Sequence, residues 1–175
     1  MQRLSLVVAL LFVVACGGSG FESGAAMLTS ITPPAMSASA VSFVGPDGAG
    51  TMVMGWTIDF FEQGAGADCA SAEVHVVASV GLFTNQAPVM GKKAMLATGD
   101  IVIVTTSPPT VTGNAAATMG AEGINSIVGT VTITDVHLKT DLSTDKISGT
   151  INAGGSDGQG VAKSITGTFA APVCE

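Results

Sequence analysis

The sequence predicts an all-β domain, an antiparallel β-sandwich or flattened barrel of about eight to ten strands. Three observations predict it. Apolar residues alternate with period two over residues 52–60, where Met52, Met54, Trp56, Ile58 and Phe60 share one face. The pattern Ile-x-Gly-Thr-apolar occurs at residues 127–131, 147–151 and 165–169, offsets of 20 and 18 that suit successive strands and not a solenoid. Long helical periodicity is absent, and charged residues are only 11%, against an average of roughly 25%.

The chain opens on a different kind of segment. Met1-Gln2-Arg3 supplies positive charge, and the next 12 residues, 4–15, contain only Ser5 as a polar residue. A helix needs about 20 apolar residues to cross a bilayer, so this run suits the apolar region of an export signal instead. It ends in Val13-Val14-Ala15-Cys16-Gly17-Gly18. These six residues resemble the lipobox of bacterial lipoproteins, in which a small aliphatic triplet precedes a cysteine that is lipidated and becomes the mature N-terminus. The resemblance implies a signal peptide over 1–15 and a Cys16 that carries a diacylglyceryl thioether and usually a third, amide-linked chain such as palmitate. Two or three chains, at about 0.8 kcal/mol per buried methylene, make release from the membrane slow. Gly17 after the cysteine, in place of Asp, favours by the same resemblance the outer membrane of a Gram-negative bacterium, so the protein is expected to be extracytoplasmic.

Residues 16–37 read as the lipidated cysteine and a flexible tether ending in Thr32-Pro33-Pro34, since Pro-Pro does not fit a helix or a central strand. A single β domain is expected over 38–175. Its first strand is residues 40–44, followed by the turn Gly45-Pro46-Asp47-Gly48. The alternating strand over 52–60 comes next, and its phase makes Trp56, Met52 and Met54 core residues in preference to copper ligands. A glycine-rich loop over 63–68 leads to Cys69. Over 72–82 the even positions, Val76 and Leu82 among them, point inward, and Glu73, His75 and Ser79 outward. Residues 92–96 and 100–105 read as two short strands, with Ile101 to Val104 buried on both faces.

Residues 106–125 hold Pro108-Pro109 and Gly113, Gly120 and Gly123 and carry no strand pattern. A loop that long is usually functional or disordered, which makes it the expected contact surface for a protein partner. In the last third each repeat puts its Ile, Gly and final apolar residue on one face, the glycines making room for bulky neighbours such as Trp56. The apolar phase slips after Ile133, marking Thr134-Asp135 as a β-bulge. Residues 154–160 are a hairpin loop in preference to a calcium turn. The ending, Gly167-Thr168-Phe169-Ala170-Ala171-Pro172-Val173-Cys174, is similar to that of uncharacterised Gly/Thr-rich β lipoproteins. That similarity covers residues 127–175 and implies architecture only.

With Cys16 lipidated, Cys69 and Cys174 remain as an even pair in an oxidising compartment. A bridge closing about 100 residues contributes roughly 4–5 kcal/mol by loop entropy. Composition excludes other classes. The formal charge is −7, and the chain past the leader has five lysines and no arginine, so nucleic acid is not an expected partner. No Gly-x-Ser-x-Gly elbow, His-Glu-x-x-His, P-loop or dinucleotide fingerprint occurs. The expectation is a lipid-anchored envelope protein, held to the membrane through Cys16, with a structural or binding role, no catalytic residues, no metal and no cofactor. Two alternatives stay open: an envelope polymer hydrolase with surface carboxylates at Asp59, Glu62 and Glu73, and a metal-binding module in which His75 and His137 meet, with Glu73 and Asp135 beside them.

Overall fold

Alternation in the sequence becomes strand in the structure, a computed structural model that describes residues 25–28, 30–62 and 76–174. The strands are β1 (Ala25–Leu28), β2 (Ala35–Pro46), β3 (Met52–Glu62), β4 (Val76–Thr84), β5 (Ile101–Thr105), β6 (Ala115–Ala121), β7 (Ile124–Leu138), β8 (Thr144–Asp157) and β9 (Ala162–Cys174). There is no helix among the described residues. One sheet closes into a barrel in the order β1-β2-β3-β4-β6-β5-β7-β8-β9.

Most neighbours are antiparallel, as expected, but the sheet is mixed. β2 meets β9 in parallel at Ala40↔Val173 and Val41↔Cys174, and β5 meets β6 in parallel at Val104↔Ala117 and Thr105↔Thr118. Both contacts come from short strands. β1 separates β2 from β9 only as far as its first pair, Ala25↔Ala170, beyond which the long strands meet. β5 enters between β6 and β7, which are antiparallel to each other and joined by a tight turn after Ala121↔Ile124. It must therefore run parallel to one of them.

The interior is filled by side chains. Trp56, Ile58, Phe60, Leu82, Ile127, Ile133, Ile147 and Ile165 are fully buried, and burying each is worth about 1.5–3 kcal/mol. Trp56 Nε1 donates to the Ala94 carbonyl at 2.9 Å, which ties the 85–100 connection across one end of the barrel. The apolar, side-chain-filled interior differs from the polar interior of a membrane-spanning barrel.

The three Ile-x-Gly-Thr repeats lie on β7, β8 and β9, with the glycines facing inward as their periodicity requires. Their neighbours differ from the expectation. Phe169, not Trp56, occupies the space over Gly149, and its ring stacks edge-to-face on Phe60 at 5.6 Å. Gly129 admits Ala153, and Gly167 admits Met27 and Leu28. The bulge at Thr134 is present, as the register slips between Ile133 and Asp135.

Several expectations are corrected. Strand begins at Ala25, inside the expected tether, because β1 finds partners on both sides; Pro33 and Pro34 lie in the β1–β2 connection. Residues 92–96 are not a strand but cover the barrel end, with Ala94 buried. β5 is buried on one face only, since Ile101 and Ile103 are 69% and 70% exposed while Val102 and Val104 are buried. Among the described residues, nothing covers its outer face. Met52, at the strand end, is exposed. Val76 is exposed and Val77 buried, because a register shift where β3 turns from Phe60 to Phe61 resets the phase of β4.

The expected 106–125 loop is loop only to Asn114. Residues 115–121 are β6, paired along its length with β4, and Ala117 and Met119 are core. What remains of the loop is tied down, with Gly48 donating to the Pro109 carbonyl and Asn85 Nδ2 to the Gly113 carbonyl. Likewise β8 continues through Gly154 and Gly155 to Asp157, and the turn itself is residues 158–161.

Three hairpin turns share one geometry. In each, the first residue's N–H donates to the carbonyl four residues on, and the fourth residue's N–H donates back to the first carbonyl: 47–51, 139–143 and 157–161. The fourth position has positive φ, 83° at Gly50, 80° at Gly160 and 65° at Leu142. This is the three-residue hairpin loop with a left-handed residue that normally calls for glycine. Leu142 there costs about 1–2 kcal/mol.

A methyl group at Gly149 would sit 2.7 Å from both Phe169 Cζ and the Thr132 carbonyl oxygen. Gly149→Ala should therefore lower stability by about 1–3 kcal/mol, read as a fall in urea midpoint. An unchanged midpoint would show that the core does not close over this position.

Candidate functional site

A ligand must meet this barrel from outside, because side chains occupy the inside. The outer face of β2, β3, β4 and β6 carries a groove of about 370 Å³ lined by Phe43, Thr57, Ser79, Gly81, Phe83, Thr118 and Gly120. Strand register builds it. Thr57 pairs with Gly81 and Gly81 with Thr118, while Ser79 pairs with Gly120, so small residues form the floor and hydroxyls flank it. Phe43 and Phe83 form one wall, edge-to-face at 4.9 Å. The Phe43 ring lies where a Cβ on Gly55 would be, so Gly55 sets the wall's position. Asp59 brings a carboxylate beside the groove, accepting a 2.6 Å hydrogen bond from the Ser79 hydroxyl.

This is a surface of hydroxyls, aromatic edges and one carboxylate. It suits a ligand with polar groups and an apolar face.

The expected carboxylate site does not assemble around Asp59 and Glu62. They are three residues apart on one strand, and an odd separation places side chains on opposite faces of a sheet. Glu73, His75 and Cys69 lie outside the described residues. His137 lies on β7, exposed, with Nδ1 3.2 Å from Asp145 Oδ2, and Lys139 Nζ is 3.8 Å from Asp145 Oδ1. Asp135 is on the same strand, opposite Ser148. Among the described residues no three His, Cys, Asp or Glu side chains come together as metal ligands. Cys174 is half-buried at the end of β9 and disulfide-bonded; its partner lies outside the described residues. Cys16 lies outside them as well.

The glycine/aspartate run has a local explanation. Asp157 Oδ1 accepts from the backbone N–H groups of Val161 and Gln159, each at 2.9 Å, and Lys163 Nζ lies 3.6 Å from Oδ2. These contacts, Val161 first, hold the carboxyl below its ordinary value of 3.8. Asp141 is lowered in the same way, chiefly by the Ser143 hydroxyl. Sequence reasoning missed the groove. Its one signal is the row of glycines Gly55, Gly81 and Gly120 on strands whose other face is apolar.

No protein-family model matches the chain, and no curated protein or solved structure matches it either.

A lowered folded-state value means that Asp157 stabilises the fold when ionised. That contribution is complete above pH 3.8 and is lost as pH falls through the lower folded value. Asp157→Ala should therefore narrow the gap between the urea midpoints measured at about pH 6 and about pH 3. An unchanged gap would mean that the turn contacts do not favour the charged form.

Proposed function

We propose that this chain is a lipid-anchored envelope protein whose barrel has a structural or binding role and performs no catalysis. The observation that carries the reading is Val13-Val14-Ala15-Cys16-Gly17-Gly18 at the end of a 12-residue apolar run too short to span a bilayer. Acyl chains on Cys16 hold the protein on the outer membrane of a Gram-negative envelope, and the barrel works in the aqueous space beside that membrane. The Phe43/Phe83 groove supports the binding half of the reading. It offers Thr57, Ser79 and Thr118 hydroxyls next to aromatic edges, a surface for weak contact with an envelope polymer. A protein partner would meet the barrel there or at the remaining loop, residues 106–114.

We propose further that Cys174 pairs with Cys69. The bridge ties the last turn of β9, beside Val41 of β2, to the segment between β3 and β4. It protects the parallel seam at which the barrel closes.

One measurement tests both proposals. The intact mass of the full chain, isolated from its own membranes, should be that of residues 16–175 plus two or three acyl chains. It should rise by about two mass units on reduction, the two hydrogens of one disulfide. Cys16→Ser should lose all acyl mass. Acyl mass that persists in Cys16→Ser contradicts the anchor, and two alkylatable thiols in the unreduced protein contradict the bridge.

A further inference from the structure

We propose that the barrel end formed by the β2–β3, β4–β5 and β7–β8 connections is a membrane-contacting surface, with Val89, Met90 and Leu142 inserted into the bilayer interface. The proposal rests on the lipid-anchor reading of Cys16 and adds an orientation to it.

Topology collects the residues. β2, β4 and β7 run toward this end and β3, β5 and β8 run away from it, so the three connections emerge together. β1 pairs antiparallel with β2 and therefore also runs away from this end, with Ala25 as the residue nearest to it. Cys16 is nine residues before Ala25. At no more than about 3.6 Å per residue, the covalent chain keeps the barrel within roughly 30 Å of its acyl chains.

The connections at this end are unusually apolar at their tips. Met90 is 100% exposed, Leu142 78%, Met95 76% and Val89 55%. The 85–100 connection is held rigidly. Gln86 bonds the backbone of Met95 in both directions, at 2.7 and 2.9 Å, Trp56 holds the Ala94 carbonyl, and the Lys93 ammonium lies 6.0 Å from the Trp56 ring centroid. At its tip the Lys92 N–H donates to the Val89 carbonyl across a turn with Gly91 at φ 69°, leaving Met90 outermost. An apolar side chain fixed at the outermost point of a braced loop is pre-organised for contact.

Leu142 is a second, independent sign. It occupies the positive-φ position that Gly50 and Gly160 fill in the two equivalent turns, and it is solvent-exposed. Backbone strain with no packing return in the free protein is explained if the side chain is buried elsewhere. Charge at this end is mixed, Lys92, Lys93 and Lys139 beside Asp47, Asp100 and Asp141, which suits neither a strongly basic nor a strongly acidic protein. In a chain of net charge −7, residues 86–99 hold Lys92 and Lys93 and no carboxylate. The exposed Lys92, two residues from Met90, suits the headgroup region, where a stem is buried and its ammonium stays wet, whereas Lys93 turns its ammonium in toward the Trp56 ring.

The test uses the full lipidated chain in vesicles of phosphatidylcholine with a minority of phosphatidylglycerol. Met90→Cys carries a nitroxide label, and Val161→Cys in the β8–β9 turn at the opposite end is the control. Both sites are exposed, so neither substitution disturbs the core. With the protein co-sedimenting, the label at 90 should show a severalfold drop in collisions with a polar nickel chelate and a rise with oxygen, and the label at 161 neither. A label at 90 that stays aqueous while the protein co-sediments overturns this proposal alone. Shielding at 90 in native envelopes but not in vesicles identifies a protein partner and also overturns it. Failure of the wild-type chain to co-sediment overturns the anchor reading, and this proposal with it.

Discussion

The closure of this barrel depends on a place where a side chain cannot be. At Gly167 the Met27 carbonyl of β1 lies where a Cβ would stand, with Leu28 against the same site. That contact seats a four-residue strand between β2 and β9. Without it the long strands would meet only over the short parallel seam at Ala40↔Val173 and Val41↔Cys174. A sheet with two long free edges is open to pairing with other chains, and a closed barrel has none. The same device recurs at Gly129 and Gly149, where Ala153 and the Phe169 ring take the space. Glycine therefore sets the barrel's internal dimensions, and Ile, Leu, Phe and Trp fill what is left.

On the outer face, Gly55 is filled in the same way by the Phe43 ring, but Gly81 and Gly120 leave space. Inside, the missing side chain is replaced by a neighbour. At Gly120 nothing among the described residues lies within 4 Å of the missing Cβ, and at Gly81 the nearest atoms belong to Phe83 and Thr118, at 3.0 and 3.3 Å. The outcome is a groove between hydroxyls and aromatic edges on an otherwise even wall. A filled interior and a notched exterior direct any binding to the surface.

Much of the fold could be read from the chain, and the failures share a cause. The strand through Trp56, the three Ile-x-Gly-Thr strands and the Thr134 bulge were legible because one face of each is buried and keeps its phase over many residues. β6 was not, since Ala115-Ala116-Ala117-Thr118-Met119-Gly120-Ala121 has little intrinsic strand preference and is a strand because β4 pairs with all of it. β1 was missed for the same reason, being four residues between two partners. Ile101 and Ile103 misled in the other direction, as an unbroken apolar run reads as doubly buried when one face is exposed among the described residues. Of the site, Asp59 and Ser79 were placed on the outer face correctly, but their pairing across β3 and β4 and the glycine floor between strands depend on register. Register is invisible until distant segments are side by side.

The seat of β1 on Gly167 is the claim most open to direct measurement. Amide hydrogen exchange of Gly167→Ala against the wild type reads it strand by strand. The account predicts that the amides of Ala25–Leu28 and of the facing part of β9 lose protection, while those of β3 and β4, across the barrel, keep it. Protection of β1 unchanged in the variant would contradict the closure described here.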